Sequence, residues 1–149
     1  QDIEIGDGST SIEGALVDIQ SGSGLIKRCT VDSCTRVLQN GACAEHGEVD
    51  GKYDLRLKGV IDDGINVFEV ILNEQTTEFL TGINLSEAEA MATEAVDTGV
   101  VLTKMRNMLL GKYYKIQGSK FSRYLIANEA QLLSDPIDTD SILIQARSI

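Results

Sequence analysis

The sequence predicts an all-β protein with a helical segment, a five-stranded barrel whose first two strands are separated by a Cys/His-rich loop. Three observations predict it. Residues 53–61 alternate, with Tyr53, Leu55, Leu57 and Ile61 to one side and Asp54, Arg56, Lys58 and Val60 to the other, the pattern of a half-buried strand. All three cysteines and the only histidine fall within residues 29–46. A helical pattern separates the first three strand-like runs from the last two.

Residues 1–12 are polar and bear Gly and Ser, so a loose lead-in or an edge strand is expected there. Over 13–19, Ala15, Val17 and Ile19 alternate with Leu16, Asp18 and Gln20, a first strand. Ser21-Gly22-Ser23-Gly24 breaks it, and Leu25 and Ile26 resume it, as in a strand kinked at a small-residue corner. After the loop come the strand at 53–61, a hairpin turn at Asp62-Asp63-Gly64, and a more continuously apolar, central strand at 65–72. Ser86-Glu87-Ala88-Glu89 reads as a capping box opening a helix to about residue 97, with Ala88, Met91, Ala92, Ala95 and Val96 as its apolar stripe. Gly99 interrupts, a second helical piece covers about 100–110, and Gly111 stops it.

Strands at 113–117 and 123–133 follow, joined by a turn around Gly118-Ser119-Lys120, and Pro136 ends the packed region. The tail is acidic, then apolar at Ile142, Leu143 and Ile144, a docking element or only an extension. Strand-strand-strand-helix-strand-strand is the order of an OB-fold barrel. The expected division is a lead-in at 1–12, the barrel at 13–133 with residues 28–50 inserted, and a tail at 134–149.

The inserted loop reads C-x4-C, eight residues, then C-x2-H. Two short-range ligand pairs on facing turns are what a tetrahedral Zn2+ site needs. Asn40 and Gly41 before the second pair, and Gly47 after it, supply turn chemistry. A disulfide would leave one cysteine over, and unrelated buried thiols would not account for a histidine at ligand spacing. Cys29, Cys34, Cys43 and His46 are therefore read as a closed, structural zinc site. Four protein ligands leave no open position for catalytic water, and no nucleophile pair is visible, so no enzyme is expected.

Net charge is −10, which taken alone argues against nucleic acid, but the charge is segregated. Residues 98–128 hold six bases (Lys104, Arg106, Lys112, Lys115, Lys120, Arg123) and no acid, while the remainder holds seven bases and all 23 acids. One basic face on an acidic body is expected, a balance that also fits a salt-rich cytoplasm. There is no apolar run of membrane-spanning length, and thiolate ligation favours a reducing interior. The chain begins at Gln1 rather than Met and reads as a processed or excised piece.

Several runs carry a resemblance: Gly24-Leu25-Ile26-Lys27-Arg28-Cys29, Cys34-Thr35-Arg36-Val37-Leu38, Gly41-Ala42-Cys43, His46-Gly47, Asp54-Leu55-Arg56-Leu57-Lys58 and Asp62-Asp63-Gly64. Together they resemble the zinc-finger OB domain of archaeal replication protein A, over about residues 13–133. They are also similar to the C-terminal DNA-binding domain of the eukaryotic large subunit, where a zinc ribbon sits between the first two strands. The resemblance implies single-stranded DNA binding in replication, repair and recombination, in the cytoplasm and associated with the nucleoid. Two departures stand out. The family often stacks a base on an aromatic of strand 3 beside an Asn-Glu-Gln sequence, and here Leu72 precedes Asn73-Glu74-Gln75. The fourth ligand is His46, where eukaryotic relatives use cysteine.

Single-strand binding needs a positive groove for the backbone and aromatic faces for the bases. Arg56 and Lys58 on strand 2, with Lys115, Lys120 and Arg123 on the last hairpin, are the candidates for the groove. Phe121 is the first candidate for stacking and Tyr124 the second, a place in the core being the alternative for Tyr124. The rival reading is a structural assembly module that contacts other replication protein A subunits, or a second copy through the tail, with little DNA binding of its own.

Overall fold

A computed structural model describes the backbone of residues 5–134; the expectations for the start of the lead-in and for the tail fall outside the described residues. The first strand, β1 (Ile5–Ile19), starts well before residue 13. Its polar stretch pairs through the backbone, Ser9 to Ala15 lying against Ser119 to Tyr113, so it needs no apolar alternation to form. Chain direction then changes at Gln20–Ser23, and β2 (Gly24–Cys29) resumes the strand.

That corner is built by small residues and secured by long ones. Ser23 is buried, donates from Oγ to Lys58 O at 3.2 Å and accepts from Lys58 N–H at 2.8 Å. Arg106 donates to Ile19 O at 2.8 Å and Arg56 to Gly22 O at 2.9 Å, so the carbonyls freed by the bend are satisfied. Gly24 has φ 85°, and a Cβ there would stand 3.0 Å from the Leu102 backbone nitrogen. Both the torsion and the close approach of the helix call for glycine.

The inserted loop carries β3 (Ala42–Cys43) and β4 (Gly47–Glu48), and the alternating run is β5 (Gly51–Asp62). β5 is long enough to serve two neighbours along one edge: Gly51 to Arg56 pair with β2, and Gly59 to Asp62 pair with β1. Its other edge pairs with β6 (Val67–Leu72). Ile65 lies in the hairpin loop rather than in the strand and is 89% exposed. The last hairpin is β7 (Tyr113–Phe121) and β8 (Tyr124–Ser134). β6 pairs with β8 in parallel and β7 pairs with β1, which closes the ring β1-β5-β6-β8-β7. This is the five-stranded OB barrel the element order predicts.

Alternate residues of each strand fill the interior: Leu16, Ile19, Leu55, Leu57, Ile61, Val70, Leu72, Tyr114 and Ile116 are all at most 2% exposed. Each such large aliphatic side chain contributes on the order of 1.5–3 kcal/mol by leaving water. Three helices lie between β6 and β7: α1 (Glu74–Thr81), α2 (Leu85–Ala95) and α3 (Gly99–Leu109). α2 and α3 complete the core through Ala88, Val101, Met105 and Leu109, and Leu80 of α1 packs against it half-buried.

The helical segment corrects the sequence reading in three places. α1 was not anticipated; Asn73, expected beside a strand platform, caps it by accepting from Thr76 N–H at 2.9 Å. The capping box of α2 is Asn84 with Glu87, two residues upstream of the Ser86/Glu89 pair, and it satisfies both orphan groups at 2.8 and 3.0 Å. Of the expected apolar stripe, Ala88 and Ala92 are buried, but Ala95 is exposed and Val96, in the left-handed C-cap, is 90% exposed. The last turn also moves. Gly118 lies within β7, where a Cβ would collide with Ile126 O, and the reversal is made by Ser122 (φ 58°) and Arg123 between the paired Phe121 and Tyr124.

Candidate metal centre and nucleic-acid face

Three reversals fold the inserted loop. Cys34 N–H donates to Val31 O at 2.9 Å, closing the first, with Ser33 at φ 64°. The chain then runs back beside β2, Cys29 N–H donating to Arg36 O and Leu38 N–H to Lys27 O, both at 2.8 Å. Asn40 and Gly41, at φ 54° and 81°, make the second reversal, and Gln39 and Ala42 exchange hydrogen bonds across it at 2.9 and 3.1 Å. The third is the β3–β4 hairpin, with Gly47 at φ 73°. The turn roles expected of Asn40, Gly41 and Gly47 are the ones they fill.

These reversals gather Cys29, Cys34, Cys43 and His46 so that their donor atoms all lie within 4.8 Å of one another. Cys29 Sγ and Cys43 Sγ each stand 3.5 Å from His46 Nδ1, and Cys34 Sγ is 3.8 Å from Cys43 Sγ. Tetrahedral bonds of ~2.3 Å to sulfur and ~2.05 Å to nitrogen put neighbouring donors ~3.8 Å apart for S···S and ~3.5 Å for S···N. These three spacings fit a zinc tetrahedron. They are far from the ~2.05 Å of a disulfide, and all three cysteines are free.

The thiols are not equivalent. Burial pushes the Cys29 thiol up. Burial opposes ionisation at Cys43 too, but donors at Glu45 and His46 outweigh it and bring that thiol down to about 6. Cys43 is thus offered to a cation as a thiolate more readily than Cys29. Below the cluster, Arg28 ties the loop to the barrel, donating to Asp54 Oδ2 at 2.6 Å and to Thr35 O at 2.9 Å. Thr30 Oγ1 donates to Asp50 O at 2.7 Å across the loop's base. Arg28 and Thr30 were not singled out by sequence; only the fold shows that they lie where the loop leaves and rejoins the barrel.

The candidate nucleic-acid residues spread over β5, β7, β8 and the turn between the last two. Val60, Glu69, Tyr124 and Phe121 are successive partners across the four strands, and Lys58 and Ile71 pair one step along. Tyr124 is half-buried, and two cations approach its ring: Lys58 Nζ is 5.5 Å and the Arg123 guanidinium 5.0 Å from the ring centre. Arg123 also donates to Tyr124 Oη at 2.8 Å and stands 3.5 Å from Glu69 Oε2. These bonds push its guanidinium above the ordinary arginine value. Tyr124 is therefore an outer-face residue and not part of the interior.

Phe121 is 72% exposed at the end of β7, beside the turn. Lys120 lines a cleft with Arg123 and Tyr124 at the same end. Arg56 is half-buried beside the corner, and burial, then the nearby Arg28, lower its pKa. Lys115 lies farther along β7, away from this group, in a cleft against α1. Leu72 is 1% exposed and offers no face to a base. Sequence reasoning missed Glu69 and Arg106, which join Lys58 and Arg123 around a shallow groove by the corner. The cross-strand register that assembles them has no local signal.

Among the described residues no helix is long and apolar enough to cross a membrane. No family model and no curated protein matches the sequence. Solved structures do match in shape. A chain of a replication protein A heterotrimer bound to ssDNA aligns with a TM-score of 0.52 at 12% identity, over 93% of this chain and 34% of that one. This chain thus spans about a third of that neighbour. A chain of yeast RPA bound to ssDNA aligns with a TM-score of 0.52 at 12% identity, over 95% of this chain and 86% of that one. At such identity the likeness establishes architecture: an OB barrel shaped like those of replication protein A, with a Cys3His cluster that fits zinc between its first two strands.

Proposed function

We propose that the chain is a single-stranded-DNA-binding OB domain of the archaeal replication protein A type, which covers single strands in replication, repair and recombination. The observation that carries this reading is Tyr124 with Lys58 and Arg123 against its ring and the exposed Phe121 as its cross-strand partner. OB barrels take oligonucleotides across the face of strands 2 and 3, between the connections that join strands 1–2 and 4–5. Here those are β5 and β6, the Cys/His loop, and the β7–β8 turn. Phe121 and Tyr124 stack bases, while Arg56, Lys58, Lys120 and Arg123 meet phosphates; Lys115, in the cleft against α1, stands apart from this group. Zn2+ is the cofactor, held by Cys29, Cys34, Cys43 and His46, and when bound it cross-links the loop without chemistry of its own. No catalytic role is assigned. The proposed location is the cytoplasm, on nucleoid DNA.

Replacing Lys120 and Arg123 together by Glu tests the face. Binding to a labelled dT oligomer should weaken, and its salt slope should flatten by about two phosphate contacts. An unchanged slope would place the groove elsewhere. A second reading, an assembly module contacting other subunits, is favoured by the acidic remainder of the chain, −16 outside residues 98–128. Size measured over a concentration series, with and without residues 137–149, separates it from a free-standing DNA binder.

A further inference from the structure

The outer row of β8 does not end at Tyr124. Past Ile126 it reaches Asn128, about 13 Å along the strand from Tyr124, where a cleft of about 530 Å3 opens between α1 and the β7–β8 pair. It is lined by five residues that carry carboxamides, Asn73, Gln75, Gln117, Asn128 and Gln131, and by Phe79. Phe79 is 76% exposed although its neighbours Thr76 and Thr77 on the same helix are buried. Lys115 and Glu129 are also present and offset one another's charge. A neutral cleft of this kind does not select an anion. It selects a flat group with paired donors and acceptors.

A carboxamide carries both a donor and an acceptor on one planar end, the complement of a nucleobase edge, and Asn or Gln meets adenine at N6 and N7 with two bonds. Asn73 Oδ1 already caps α1, which leaves its amide N–H groups to donate. We propose that this cleft is a nucleobase site with a preference for adenine, the base stacking on Phe79 and its edge read by Gln117, Asn128 and Gln131. It rests on the single-strand reading above only for the source of the base, a nucleotide leaving the Tyr124 face along β8.

The test uses mononucleotides, so that it stands apart from oligomer binding. dAMP and dTMP are titrated into the protein while the side-chain NH2 signals of Asn and Gln are followed by NMR. The expected result is a saturable dAMP response at Gln117, Asn128 and Gln131, with dTMP several-fold weaker. Phe79→Ala should weaken dAMP roughly tenfold with the melting temperature unchanged, and the Asn128→Ala/Gln131→Ala double variant should level dAMP with dTMP. No saturable dAMP response, equal responses to both nucleotides in the parent protein, or full dAMP binding in Phe79→Ala would each overturn the proposal. dAMP binding by a protein that ignores dT oligomers supports the cleft and removes only the strand reading.

Discussion

Leu55 and Cys43 are both almost wholly buried, at 0% and 3% exposure, but what surrounds them differs. Leu55 sits in a continuous interior of some twenty side chains drawn from every strand of the barrel and from α2 and α3. Cys43 sits in a loop whose other side chains are mostly exposed, with Val37, Leu38 and Val49 half-buried at best. The barrel is stabilised by area removed from water. The loop has too little apolar surface for that, and its shape rests on three tight turns, the Arg28 and Thr30 anchors, and four convergent donors. One chain thus contains two units that respond to different perturbations.

Metal removal should separate them most sharply. Binding free energies of about 10–16 kcal/mol in small zinc modules are folding free energies. A strong chelator, or Cys43→Ser, should therefore disorder residues 30–50 while the barrel signals stay in place, as read from amide exchange along the chain. Simultaneous loss of both regions would refute their independence. The converse is Leu55→Ala. It should cost the barrel about 2–5 kcal/mol in a denaturant titration and leave the metal content at one per chain. Loss of metal in that variant would mean that the loop leans on the core.

A smaller effect separates the regions by pH. Tyr114 is buried, donates to Leu109 O at 3.0 Å, and burial pushes its pKa from 10 up to about 12. A pKa raised in the folded state means that the folded form holds the proton more tightly. Its contribution is whole below pH 10 and is lost as pH rises through about 12. The barrel's urea midpoint should fall across that window, and Tyr114→Phe should remove this part of the decline. An identical alkaline slope in the variant would assign it to other groups.

How much of each unit was legible follows from the same contrast. Leu55, Leu57 and Ile61 announce their strand because a half-buried strand must alternate, and the four ligands announce themselves because zinc requires rare residues at short spacing. Residues 1–12 were left open between a lead-in and an edge strand because Ser9 to Ile12 pair through backbone groups that any sequence offers. α1 was missed because Thr76, Thr77 and Thr81 are poor helix formers on a helix of eight residues. Thr77 is tolerated because its hydroxyl donates to Leu72 O at 3.1 Å inside the core. Two overlapping cap patterns, Asn84/Glu87 and Ser86/Glu89, satisfy the same rule, and only packing chose between them. The turn after β7 was placed at Gly118 because glycine favours turns, whereas here it serves a close crossing against Ile126 and Ala127. Lys58, Arg123 and Tyr124 were each singled out in the sequence, but that Lys58 meets the other two depends on strand register.

The central claim is that the face carrying Tyr124 and Phe121 holds single-stranded DNA, and one titration addresses it most directly. A labelled dT oligomer is titrated with the intact protein and with Phe121→Ala, at low and at high salt. The account predicts saturable binding that weakens with salt, and a loss of about 1–3 kcal/mol in Phe121→Ala with the melting temperature nearly unchanged. No binding at low salt, or a Phe121→Ala protein that melts early yet binds as tightly as its parent, would contradict it.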